Sequence, residues 1–97
     1  MTIGGAMLSL YTAFDVQLEL KDYLKQSRKQ HKLSVERLAE QSGVPYGTIR
    51  KFEDSGNISL RQFLMLLEVL GGLTHLRELY KERDLEPASI DEVLKNA

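Results

Sequence analysis

The sequence predicts an all-α bundle of about five helices. Apolar residues recur at three- and four-residue intervals from Val16 to about Arg83. Ser34, Pro45 and Ser59 stand where helices would start, and Gly43, Gly56 and Gly71-Gly72 stand where they would stop. The 97 residues suit one domain with a modest core, near the size at which oligomerisation often adds stability. The chain divides into an apolar N-terminal arm over 1–15, a central unit over 16–70 and a helical extension over 71–97 suited to dimerisation or partner contact. With 42% hydrophobic and 28% charged residues, the composition is that of a soluble globular protein.

Met1 to Phe14 is mostly apolar, with Gly4 and Gly5 near its start. It lacks a basic leading region and falls short of the ~20 residues that span a bilayer, so neither a signal peptide nor a membrane span is expected. Two readings stand: an unstructured tail, or an arm whose Met7, Leu8, Leu10, Tyr11 and Phe14 dock on the domain or on a second subunit.

Asp15 to about Gln30 reads as the first helix. Val16, Leu20, Tyr23, Leu24 and Ser27 form its apolar stripe, and Lys21, Lys25, Arg28 and Lys29 are expected away from it. Lys29, His31 and Lys32 lie near its C-terminal end, where cations are favoured. His31 and His75 have no metal-ligand spacing, and the absence of Cys removes the commonest zinc ligands and any disulfide. No metal or cofactor is expected.

The second helix starts at Ser34, whose hydroxyl can accept from the first-turn N–H groups, with Val35, Leu38 and Ala39 at helical spacing. Gly43 ends it, since glycine enters the left-handed conformation without a Cβ penalty, and Val44 packs under the turn. Pro45 then opens a third helix to about Asp54, its fixed φ being helical. On this helix Ile49, Phe52 and Glu53 share one side, while Tyr46, Gly47, Arg50 and Asp54 share another with Lys51 at its edge. A phenol, a bare glycine and a guanidinium suit close approach to something anionic. Arg50 can grip a phosphate or donate a bidentate pair to guanine O6 and N7.

Asp54 to Asn57 is a turn by composition. Ser59 and Gln62 fit a capping box that opens a fourth helix to about Leu70, apolar around more of its circumference than one buried stripe requires. Gly71-Gly72 ends it. Leu73, Leu76, Leu79 and Tyr80 continue as a fifth helix to about Arg83, so the last two helices offer a leucine-rich surface. Asp84 to Ala97 is acidic, with Pro87 as a breaker, a second capping box at Ser89 to Glu92, and Ile90, Val93 and Leu94 suited to a short terminal helix.

The formal net charge is −1, but Val16 to Gly56 carries +2, so a weak basic bias sits with the central helices.

Leu38-Ala39, Gly43-Val44, Thr48-Ile49, and Glu53 with Gly56 together resemble the helix-turn-helix of the Cro/repressor (XRE) family, over about Leu20 to Leu70. The resemblance implies a lambda-repressor-like bundle that binds double-stranded operator DNA as a two-fold homodimer in the cytoplasm. It assigns the DNA contact to Ser34, Pro45, Tyr46, Gly47, Thr48, Arg50 and Lys51. Tyr46 and Arg50 would read bases, while Ser34, Thr48 and Lys51 hold phosphates. Two positions depart from the family: Val35 replaces a usual Gln, and Pro45 replaces a frequent Ser. Gly56 to Leu60, Leu70-Gly71 and Pro87 to Leu94 are further similar to HipB-like regulators. That likeness implies repression of the chain's own operon and an antitoxin role beside a HipA-type toxin kinase. Alternatives are a stand-alone or phage-type regulator, or a protein-interaction module on the same fold without DNA binding. No nucleophile with its base and no glycine-rich phosphate loop is present, so an enzyme is not expected.

Overall fold

The computed structural model describes residues 10–84 and holds five helices: α1 (Ala13–Gln30), α2 (Val35–Ser42), α3 (Tyr46–Ser55), α4 (Leu60–Leu70) and α5 (Leu73–Asp84). No strand occurs among the described residues. The terminal helix expected from Ser89 to Leu94, and the part of the arm before Leu10, lie outside them.

Helix α1 begins two residues earlier than expected. Thr12 is its N-cap, and Asp15 is the third residue of the helix rather than its first. The Thr12 hydroxyl accepts from the Asp15 N–H at 3.0 Å, and the Asp15 carboxylate accepts from the Thr12 N–H at 3.1 Å. This reciprocal box satisfies two donors that a helix start otherwise leaves unpaired. Leu10 and Phe14 are exposed, so neither docks on the domain itself.

The helices α2 and α4 start on Ser34 and Ser59 as expected, each hydroxyl accepting from the N–H three residues on. At α4 the box is not reciprocal: the Ser59 hydroxyl donates to Gln62 Oε1 at 3.2 Å, and the Gln62 amide does not reach back to the backbone.

Leu24 of α1, Leu38 of α2, Val44 of the turn, Ile49 and Phe52 of α3, and Leu66, Leu67 and Leu70 of α4 form one buried cluster. Each fully buried side chain of this kind contributes about 1.5–3 kcal/mol. Phe52 meets Phe63 of α4 edge to face, with ring centroids 5.8 Å apart. Helix α3 thus packs on α1 and α2 and meets α4 through this ring contact, whereas α5 rests on α4.

Only part of the apolar stripe on α1 is used. Leu24 and Ser27 are buried, but Val16, Leu20 and Tyr23 stay exposed. The helix is instead turned so that Gln17, Leu24 and Arg28, at i, i+7 and i+11, meet α3 and the loop after it. Gln17 donates to the Gly56 carbonyl at 2.7 Å and to Asn57 Oδ1 at 3.0 Å.

Candidate nucleic-acid interface

The turn between α2 and α3 is fixed by its backbone. Gly43 has φ +83°, and its N–H donates to the Ala39 carbonyl at 2.9 Å. The Val44 N–H donates to the Ser42 hydroxyl at 3.0 Å, which turns the Val44 side chain into the core. Pro45 departs from the expected first helical position. With ψ 146° it is the extended N-cap of α3, and its carbonyl accepts from Thr48 and Ile49. Proline carries no side-chain acceptor, so the N–H groups of Tyr46 and Gly47 at the start of α3 have no side-chain cap.

Between the ends of α1 and α3 lies an ion pair that helical periodicity on α1 does not reveal. The spacing on α1 puts Arg28 among the solvated cations, yet it is buried against Glu53 of α3. Arg28 Nε donates to Glu53 Oε2 at 2.7 Å and Nη2 to Oε1 at 3.1 Å. Arg28 Nη1 also donates to the Leu33 carbonyl at 2.8 Å, ahead of α2. One guanidinium therefore fixes α1, the entry to α2 and the inner side of α3 together. The available signal is Glu53 itself, a carboxylate four residues after Ile49 on the packed side of its helix, where an unpaired charge is too costly to bury. Arg28, four residues after Leu24, stands at matching depth on α1.

With Ile49, Phe52 and Glu53 turned inward, α3 presents Tyr46, Gly47, Arg50 and Lys51 to solvent, with Asp54 exposed one turn further on. Arg50 Nη1 donates to the Tyr46 hydroxyl oxygen at 2.9 Å, and the guanidinium carbon stands 5.8 Å from the Tyr46 ring centroid. Between them Gly47 leaves open space, since a Cβ placed there would meet no atom within 4 Å. Lys51 makes no ion pair among the described residues, while Thr48 is half-buried at the edge of the face. Ser34 uses an oxygen lone pair as the α2 cap, which leaves its hydroxyl proton able to donate. Val35 packs against the core, which accounts for an apolar residue at that place.

A second exposed surface is apolar. Leu20 and Tyr23 of α1, Phe63 of α4, and Leu76 and Leu79 of α5 line a shallow groove. Val16 and Leu60 border a neighbouring hollow that continues it past Phe63.

Among the described residues no cluster of three or more His, Asp or Glu side chains is arranged to hold a metal. No helix there is long and apolar enough to cross a membrane.

A family model described as helix-turn-helix matches residues 24–85, from the middle of α1 through α5. No curated protein and no solved structure gives a match.

Proposed function

The chain belongs to the helix-turn-helix family of the Cro/repressor (XRE) type, whose members are DNA-binding regulators, and on that basis we propose that it is a sequence-specific transcriptional regulator that binds operator DNA as a homodimer and represses its own operon. The observation that carries this reading is the outer side of α3. Its start has no side-chain cap, its exposed groups include Tyr46, Arg50 and Lys51, and its inner side is locked by Ile49, Phe52 and Glu53. A helix held this way can enter a major groove without reorganising. Tyr46 and Arg50 then meet base edges, Gly47 admits the duplex closely, and Ser34, Thr48 and Lys51, with the N–H groups following Pro45, meet phosphates.

One such helix reads few base pairs, and regulators of this architecture gain specificity by placing two copies about 34 to 36 Å apart along the duplex. The open apolar surface on α1, α4 and α5 supports pairing with a second copy, because it leaves Val16, Leu20, Tyr23, Leu60 and Leu79 to water. A second reading, the HipB-like antitoxin, is favoured by the same surface: it extends over three helices and can seat a toxin kinase beside the dimer contact.

The test is a mobility-shift titration on the DNA upstream of the protein's own gene, at two salt concentrations, with wild type and Arg50→Ala. Phosphate contacts release counterions, so wild-type affinity should fall steeply with salt. Arg50→Ala should weaken binding by about 1–3 kcal/mol per half-site and relax preference at one base. Salt-insensitive binding, with an unchanged base preference in the variant, would remove Arg50 from the reading and favour a protein partner.

A further inference from the structure

The contact between Tyr46 and Arg50 fixes the hydrogen-bonding character of the pair as well as its position. The Tyr46 oxygen accepts from Arg50 Nη1 at 2.9 Å, so the hydroxyl hydrogen is directed away from the guanidinium. A guanidinium carries donors and no acceptor. Toward a ligand the joined pair therefore presents the hydroxyl hydrogen and the remaining guanidinium N–H groups as donors.

In the major groove guanine offers two acceptors, N7 and O6, and thymine offers O4, whereas adenine and cytosine each place an amino donor there. Such donors pair fully with the keto bases, whereas cytosine meets them with an amino donor and adenine with an amino donor beside its N7. The 2.9 Å between Nη1 and the phenolic oxygen is close to the ~3.4 Å rise between successive bases of one strand. Donors so placed can reach acceptors on neighbouring bases of one strand. Gly47, with open space where its Cβ would be, leaves the approach to this step clear.

We propose that Tyr46 and Arg50 act as one reading unit for two adjacent keto bases, Arg50 on a guanine and the Tyr46 hydroxyl on a neighbouring guanine or thymine. Tyr46 is also the positioning residue for Arg50, its ring lying under the guanidinium and its oxygen anchoring Nη1. This rests on the reading of α3 as the DNA-entering helix.

The test is selection of binding sites from random duplexes by the full chain, comparing wild type with Tyr46→Phe and Arg50→Ala. Affinities for the selected duplex and its single-base variants would be measured at two salt concentrations. Wild type should select a guanine beside a guanine or thymine. Tyr46→Phe keeps the ring but loses the hydroxyl, so discrimination at the neighbouring base should fall roughly threefold to tenfold, and that at the guanine should fall with it. The salt slope and the thermal midpoint should stay at wild-type values, since Tyr46 is half-exposed and holds no phosphate in this assignment. Arg50→Ala should lose the guanine preference, about fivefold to 150-fold. Identical base profiles for wild type and Tyr46→Phe would overturn the proposal and leave DNA binding intact. A wild-type profile with adenine or cytosine at the step would do the same. A wild type that selects no sequence would overturn the underlying reading with it.

Discussion

The outer side of α3 exposes a phenol, a guanidinium, an ammonium and the Asp54 carboxylate, whereas α1, α4 and α5 expose the apolar side chains of Val16, Leu20, Tyr23, Leu60 and Leu79. The two surfaces differ as much underneath as on top. Below the α3 face a buried guanidinium and carboxylate tie three elements together through directional bonds. Below the apolar surface the packing is chiefly leucine on leucine. Hydrogen bonds fix angle and register, so the first arrangement suits a face whose side chains must be held in one orientation. Hydrophobic contact is non-directional and scales with area, so the second suits holding a partner whose orientation is set elsewhere.

The sharpest way to break this contrast is to remove its buried anchor. Glu53→Ala leaves the Arg28 guanidinium with the Leu33 carbonyl as its remaining partner in the interior, and losing one member of a buried pair costs about 3–5 kcal/mol. That is a large share of the ~5–15 kcal/mol a domain has, and urea unfolding should show the midpoint fall accordingly. A loss below about 1 kcal/mol would mean that packing alone holds α3 in place. The double variant Arg28→Met/Glu53→Leu should recover much of the loss, because apolar replacements of similar volume often equal a buried ion pair.

A smaller effect separates fold from function on the α3 face itself. Gly47 lies on the exposed side of the helix, and a methyl group added there would have nothing within 4 Å. Gly47→Ala should therefore raise stability by about 1 kcal/mol, the difference in helix propensity. If Gly47 lets the duplex approach, the same methyl group should weaken binding to operator DNA, so stability and affinity move in opposite directions. Tighter or equal DNA binding by the stabilised variant would show that the glycine is not there for access.

These two sites also mark where the sequence can be read and where it cannot. Helices α2, α3 and α4 are legible because their signals are local: Ser34 and Ser59 cap within three residues, and Gly43 turns the chain at its own position. The outward set of Tyr46, Gly47, Arg50 and Lys51 follows from the helical period once Ile49 and Phe52 are taken as core. Arg28 and Glu53 escape because 25 residues separate them, and a periodicity argument treats each helix by itself. The same limit hides Gln17, whose partners are 39 and 40 residues away, and with it the rotation of α1 that leaves Val16, Leu20 and Tyr23 in water. Thr12 is a different omission. Its box with Asp15 is local, but an arm read as a single apolar stretch conceals the helix start inside it.

The smallest expected effect on the fold tests the apolar surface most directly. Leu79 on α5 is 70% exposed and contributes little to the core, so Leu79→Lys should change monomer stability by no more than about 0.5 kcal/mol. If a second copy covers the groove formed with Leu20, Tyr23 and Phe63, the new ammonium must be desolvated on pairing, twice over in a two-fold contact. Sedimentation at micromolar concentration should then show a dimeric wild type and a folded, monomeric variant. Its DNA affinity should fall because two half-sites are no longer bound together, while the base preference of each half-site stays the same. That combination separates assembly from reading, since Arg50→Ala should do the reverse and alter the base profile of a protein that remains a dimer. A dimer that persists in Leu79→Lys would place the contact between copies elsewhere and leave this groove to a different partner.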